Sequence, residues 1–189
     1  AISASIWLCW LTYSVLYYWA GYYFMTVKGY TLGQWSMVLL ATLIMAMIGG
    51  VTSGSIMDRI GRKPALIGGC VLLALCLVAL GFAQGALLPV AAVVTGFFTS
   101  FTYTWIVVYV PEIFPTERRG ACMGWATTVA RISYVAGPAL AAVLLDAYPT
   151  MEGFWVGAAL VVLVPIGIIL AVNPYETKTQ ELEEIAVKR

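Results

Sequence analysis

The sequence predicts an all-α membrane protein built as a bundle of six transmembrane helices, and three observations carry that prediction. Hydrophobic residues make up 62% of the chain and charged residues only 10%, a balance foreign to soluble globular domains. Residues 32–56 and 64–82 contain no charge, and each stretch is long enough to cross a bilayer as a helix. Basic residues also recur on one side: Arg59, Arg62 and Lys63 follow the second apolar stretch, Arg118 and Arg119 the fourth, and Lys178, Lys188 and Arg189 the sixth. On the other side stands Lys28, with no Lys or Arg between Asp146 and Gly153. By the positive-inside rule this asymmetry predicts a multi-pass protein of the cell membrane with both ends of the chain cytoplasmic.

The elements follow in order. The first span, residues 2–27, is unusually aromatic and ends at Gly29. Thr31 is the expected N-cap of the second, residues 32–57. The third, residues 64–82, opens on Pro64, which suits a first helical turn. An uncharged turn over residues 83–88 leads to the fourth span, 89–110, and the fifth and sixth cover 120–145 and 153–172. Pro174 stops the bundle, so residues 1–173 form the membrane part and residues 174–189 a charged cytoplasmic tail, with a short surface helix expected from Lys178 onward.

Between the second and third spans lies a polar island, Gly54-Ser55-Ile56-Met57-Asp58-Arg59-Ile60-Gly61-Arg62-Lys63, with four charges in its last six positions. It reads as a tight charged hairpin in which Gly54 lets a neighbouring helix approach, Gly61 permits a left-handed turn, and Asp58 pairs with arginine or caps a helix N-terminus. An ordinary positive-inside anchor loop is the plainer reading of the same charges. The string fits G-x-x-x-D-R-x-G-R-[RK] without gaps and resembles the loop signature of the major facilitator superfamily of secondary transporters. That resemblance implies that Gly54, Asp58, Arg59, Gly61, Arg62 and Lys63 form a conformational latch rather than a substrate site.

A second polar stretch, Pro111-Glu112-Ile113-Phe114-Pro115-Thr116-Glu117-Arg118-Arg119-Gly120, resembles the P-E-[IL]-[FY]-P-T-x-x-R-G segment after the tenth helix of sugar-porter-like and organic-ion transporters of that superfamily. Its two prolines are expected to break the helix, while Glu112 with Arg118 or Arg119 clamps neighbouring helix ends. The tail, Pro174-Tyr175-Glu176-Thr177-Lys178 and then Glu181 to Ile185, is similar to the sugar-porter ending P-E-T-K-G-x-x-L-E-E-I, with Tyr175 inserted and Thr179 in place of glycine. Motif positions cover roughly a fifth of the chain. Together they imply the carboxyl-terminal six-helix half of a twelve-helix major facilitator fold. Its partners would be an amino-terminal half, a small-molecule solute and the lipid bilayer, with any coupling to H+ resting on the amino-terminal half.

Arg131 is the residue expected to matter most for substrate. It lies about eleven residues inside the fifth span, ~16 Å along the axis and near the middle of a core ~30 Å thick. A central arginine costs ~2.5–3.5 kcal/mol on insertion scales, so it should face a wet cavity or a partner. Either it captures an anionic or hydrogen-bonding solute with its guanidinium fork, or it pairs with an acid of the other half. The run Ala130-Arg131-Ile132-Ser133 followed by Gly137-Pro138 resembles the eleventh-helix R-x-G segment of organic-ion and aromatic-acid transporters, with Ser133 replacing the glycine. In that branch the arginine helps bind an organic anion. The sugar-porter G-P-x-x-W segment is missing from Phe101-Thr102-Tyr103-Thr104-Trp105, where Trp105 stands two positions early.

Tyr13 and Tyr17 share one face of the first span and Tyr18 and Tyr22 another; with Tyr103 and Tyr134 they could hydrogen-bond or stack on a solute, or simply pack helices and mark the interface. The expected function is secondary transport of an organic or aromatic carboxylate by rocker-switch alternating access. A sugar or polyol porter, and a transporter-shaped binding or regulatory protein, are the alternatives. No enzyme is expected, because histidine is absent and no cluster of catalytic groups occurs within a span. Cys9, Cys70, Cys76 and Cys122 lack metal-ligand spacing, and neither a metal, a cofactor nor a nucleic-acid partner is expected.

Overall fold

A computed structural model describes residues 18–114, 117–147 and 150–173, without the side chains at 106, 110 and 113. The described part of the first helix, α1, runs over residues 18–22 and closes in a π-helical turn, Tyr23–Val27. Then come α2 (Leu32–Ile60), α3 (Arg62–Phe82), α4 (Leu87–Ile113), α5 (Arg119–Ala147) and α6 (Met151–Val172). All five of these are long and apolar enough to cross a membrane. Most of the first span, Tyr13, Tyr17, Cys9 and the tail lie outside the described residues.

Local chemistry explains the boundaries. Thr31 caps α2 in a capping box: its hydroxyl accepts from the Gln34 N–H at 3.3 Å, and the Gln34 side chain accepts from the Thr31 N–H at 2.9 Å. Thr150 caps α6 by accepting from Gly153 N–H at 3.2 Å, and Asn173 ends that helix in the left-handed region at φ 43°. The expected hairpin between the second and third spans is reduced to one residue. Asp58 and Arg59 still belong to α2, Arg62 and Lys63 already belong to α3, and only Gly61, at φ 104°, breaks the chain. Charge at a helix end needs no loop, because 29 residues of α2 extend ~43 Å and overhang a ~30 Å core.

Pro111 does not break α4 as expected, since the helix runs on through Glu112 to Ile113. A proline this close to the C-terminus forfeits one ladder bond, and nothing further along depends on it.

Packing is uneven around the bundle. α2 lies chiefly against α4, and α3 against both α6 and α4, while α5 touches α4 and α6 only lightly. Although consecutive, α2 and α3 meet little, and α4 packs on both. At the α2–α4 crossing a Cβ on Gly49 would run into the Phe97 carbonyl, and one on Gly96 would stand 2.8 Å from the Thr42 carbonyl oxygen. Gly54, expected to serve this purpose, has nothing within 4 Å of such a Cβ.

The core has two ends. Trp105 and Tyr109 stack at 4.7 Å, and they are buried near one end with Met57 and Leu66. At the other, Tyr23 lies 5.4 Å from Trp155, and its hydroxyl donates to the Leu80 carbonyl at 3.4 Å, so the π-turn of α1 is tied to α3 and α6.

Candidate functional site

Two groups of polar residues stand out against this apolar frame. The first lies where α2, α3, α4 and α6 end together. Arg62, at the start of α3 and largely buried, donates from Nε and Nη2 to the two Glu112 carboxylate oxygens at 3.0 and 2.7 Å. Its Nη1 donates to Asp58 Oδ1 at 2.7 Å, across the single-residue joint. One planar fork thus binds the ends of three helices, a bidentate geometry open to arginine and closed to lysine. Beside it, Lys63 Nζ donates to Asn173 Oδ1 at 2.9 Å and brings in the end of α6.

These contacts refine the expected pairings. Glu112, expected with Arg118 or Arg119 to clamp neighbouring helix ends, has Arg62 of α3 as a partner, which the motifs did not pair with it. The two carboxylates differ in burial: the Glu112 side chain is 21% exposed and that of Asp58 68%. Glu112 therefore carries the stronger interaction, and Asp58 a solvated i, i+4 pair worth about 0.3–0.5 kcal/mol. Arg59 and Arg118 are exposed, and Arg119 is half-buried at the start of α5.

The second group stands near the middle of α5. Arg131 is exposed, and among the described residues its guanidinium makes no hydrogen bond or ion pair. Tyr134, three residues on and so on the same side of the helix, is half-buried. Arg131, Tyr103 of α4 and Tyr18 of α1 all lie within electrostatic reach of the Tyr134 hydroxyl. Tyr18 meets Tyr134 edge to face, with ring centroids 6.4 Å apart at 88°. Three helices thus supply one cation and three phenols to a single region, a set that can bind a carboxylate and offer hydrogen bonds beside it.

Arg131, Tyr103 and Tyr134 were expected at the site, and Tyr18 was one of four tyrosines on two faces of the first span, with nothing to set it above the others. The only signal for Tyr18 was its place on a second aromatic face of the first span. The partnership of Lys63 with Asn173 had no signal in the motifs.

Together the apolar helices and the bound helix ends define a polytopic α-helical membrane protein. Residues 2–188 match the family model of the Major Facilitator Superfamily, and the chain belongs to that family, with the fold of a half-bundle. Among curated relatives, the putative metabolite transport protein YdjK of Escherichia coli is 35% identical over 140 residues, 70% of this chain and 29% of that protein. The gentisate transporter of Corynebacterium glutamicum is 32% identical over 148 residues, 75% of this chain and 33% of its own length. The niacin transporter NiaP of Acinetobacter baylyi is 24% identical over 191 residues, 98% of this chain and 43% of its own. The chain thus spans 29% to 43% of the curated relatives it matches.

Proposed function

We propose that the chain is the carboxyl-terminal half of a secondary transporter that carries a small organic carboxylate, with Arg131 as the group that binds the carboxylate. The observation that carries this reading is the exposed guanidinium at mid-depth on α5, next to Tyr134 and with Tyr103 nearby. An arginine left uncovered there would be costly in lipid, and a wet cavity facing an amino-terminal half relieves that cost. The named substrates of two relatives, gentisate and niacin, are ring-bearing carboxylic acids, in keeping with the same chemistry. Tyr13 and Tyr17 belong to the proposed cavity wall on the sequence argument alone.

The ionic cluster serves this cycle as a latch. With the basic loops and both chain ends on the cytoplasmic side, closing Arg62 on Glu112 and Asp58 draws the inner helix ends together and favours the outward-facing state. Gly54, Arg59, Gly61, Lys63, Arg118 and Arg119 complete the same cytoplasmic face. Proton coupling, if the cycle uses it, belongs to the amino-terminal half.

A sugar or polyol porter is the second reading, favoured by the tail from Pro174 to Ile185. Competition binding and uptake by the complete transporter in liposomes, with a panel of carboxylates, sugars and organic cations, decides between them. Arg131→Gln should lower carboxylate binding at least about a hundredfold, the ~2.7 kcal/mol of a lost charge-assisted pair. Arg131→Lys should retain part of it, since the charge stays and the fork goes. Carboxylate affinity untouched in Arg131→Gln, or sugar as the sole competitor, would overturn the assignment. Solute binding without uptake under any gradient would point to a regulatory protein instead.

A further inference from the structure

We propose that Tyr18 is a specificity-determining residue, which with Tyr134 selects a planar aromatic ring on the solute whose carboxylate Arg131 holds. The inference rests on the carboxylate reading above and adds to it which part of the protein reads the rest of the molecule.

Geometry carries the argument. Tyr134 sits one helical turn from Arg131, so a carboxylate on the guanidinium brings its substituent alongside the Tyr134 ring. The Tyr18 ring stands perpendicular to that of Tyr134 with centroids 6.4 Å apart, so the two phenols present differently oriented surfaces to the same space. Tyr18 remains 59% exposed despite this contact, which leaves most of its surface available to a third ring. An aromatic ring satisfies such a corner by offset or edge-to-face contact, with its positive edge toward one tyrosine face. A saturated ring of the same size lacks both the quadrupole and the flatness. Discrimination should therefore amount to about two- to twelve-fold, the range expected for one aromatic pair beyond its area burial.

The largest buried aromatic residues, by contrast, are committed to structure. Trp105 stacks on Tyr109, and both are fully buried, while Tyr23 and Phe24 are buried at the far end of α1 among Trp155, Tyr30 and Trp35. None of these can reach a solute at Arg131 without undoing the core.

The test compares benzoate with cyclohexanecarboxylate as competitors in the complete transporter, reconstituted in liposomes. Wild-type protein should prefer benzoate. Tyr18→Leu should lose that preference by about two- to twelve-fold while holding cyclohexanecarboxylate within about twofold of wild type. Tyr18→Phe should retain the preference, because the ring and not the hydroxyl is responsible. Should Tyr18→Leu fail to assemble, Tyr18→Met keeps the volume without a ring and carries the same expectation. Equal weakening of both probes, or an intact preference in the ringless variants, overturns the role of Tyr18 and leaves the carboxylate reading standing. Arg131→Gln with both affinities unchanged overturns the carboxylate reading, and this inference with it.

Discussion

The α2–α4 crossing and the exposed side of α5 are built on opposite terms. At the crossing the two helices come into close contact: Gly49 lies against the Phe97 backbone, and Gly96 against the methyl group and carbonyl of Thr42. Among the described residues α5 is lightly packed, and Trp125, Ile132, Val135 and Val143 remain exposed together with Arg131. In lipid, helices hold together by close van der Waals packing rather than by hydrophobic exclusion of water, so the first arrangement resists change and the second tolerates it. Arg131 and Tyr134 thus stand on a helix that, among the described residues, is lightly packed, while the frame belongs to α2, α3, α4 and α6.

Four substitutions test that contrast. Gly49→Leu should have the largest effect, because its side chain must displace the α4 backbone: at least about 3 kcal/mol of destabilisation, read as a lowered melting temperature or loss of the monodisperse peak in detergent. A stable Gly49→Leu protein would show that the crossing is not the frame. Next comes Glu112→Gln, which leaves the largely buried Arg62 without its main anionic partner. About 2 kcal/mol of destabilisation is expected, together with a shift of accessibility labelling toward the inward-open population.

Gly54→Ala runs the other way. Nothing stands near its missing Cβ, and alanine favours a helix interior, so a gain of about 0.5–1 kcal/mol is expected in thermal unfolding. A loss there would reveal a close neighbour that this chain alone does not supply. Asp58→Asn should be the smallest, about 0.5 kcal/mol in stability, since its carboxylate is 68% exposed. An effect as large as that of Glu112→Gln would overturn the ranking of the two acids.

Much of this architecture was legible in the sequence. Uncharged runs of membrane-spanning length fixed where helices lie, and the Thr31 cap and the positive φ of Gly61 followed from chemistry local to a few residues. What could not be read were matters of helical phase and of long-range partnership. Gly49 and Gly54 are five residues apart, about 140° around the helix, and only the position of α4 decides which of them is crowded. The same limit of helical phase hid the contact of Tyr18 with Tyr134 of α5. Glu112 lies 50 residues from Arg62, and neither motif linked the two. Charge spacing along a chain says which pairs are near in sequence, whereas the pair that forms is set by which helix ends converge.

The single residue between α2 and α3 has a mechanical consequence. A one-residue joint spans at most about 3.6 Å, so the two helices are hinged at Gly61 like the arms of a V, and they part along their length because they share little contact. α4 enters that opening as a wedge, packed on both arms, with Glu112 tied to Arg62 at the apex. The angle between α2 and α3 is therefore set by a third helix, through contact along both arms and the ion pair at the apex.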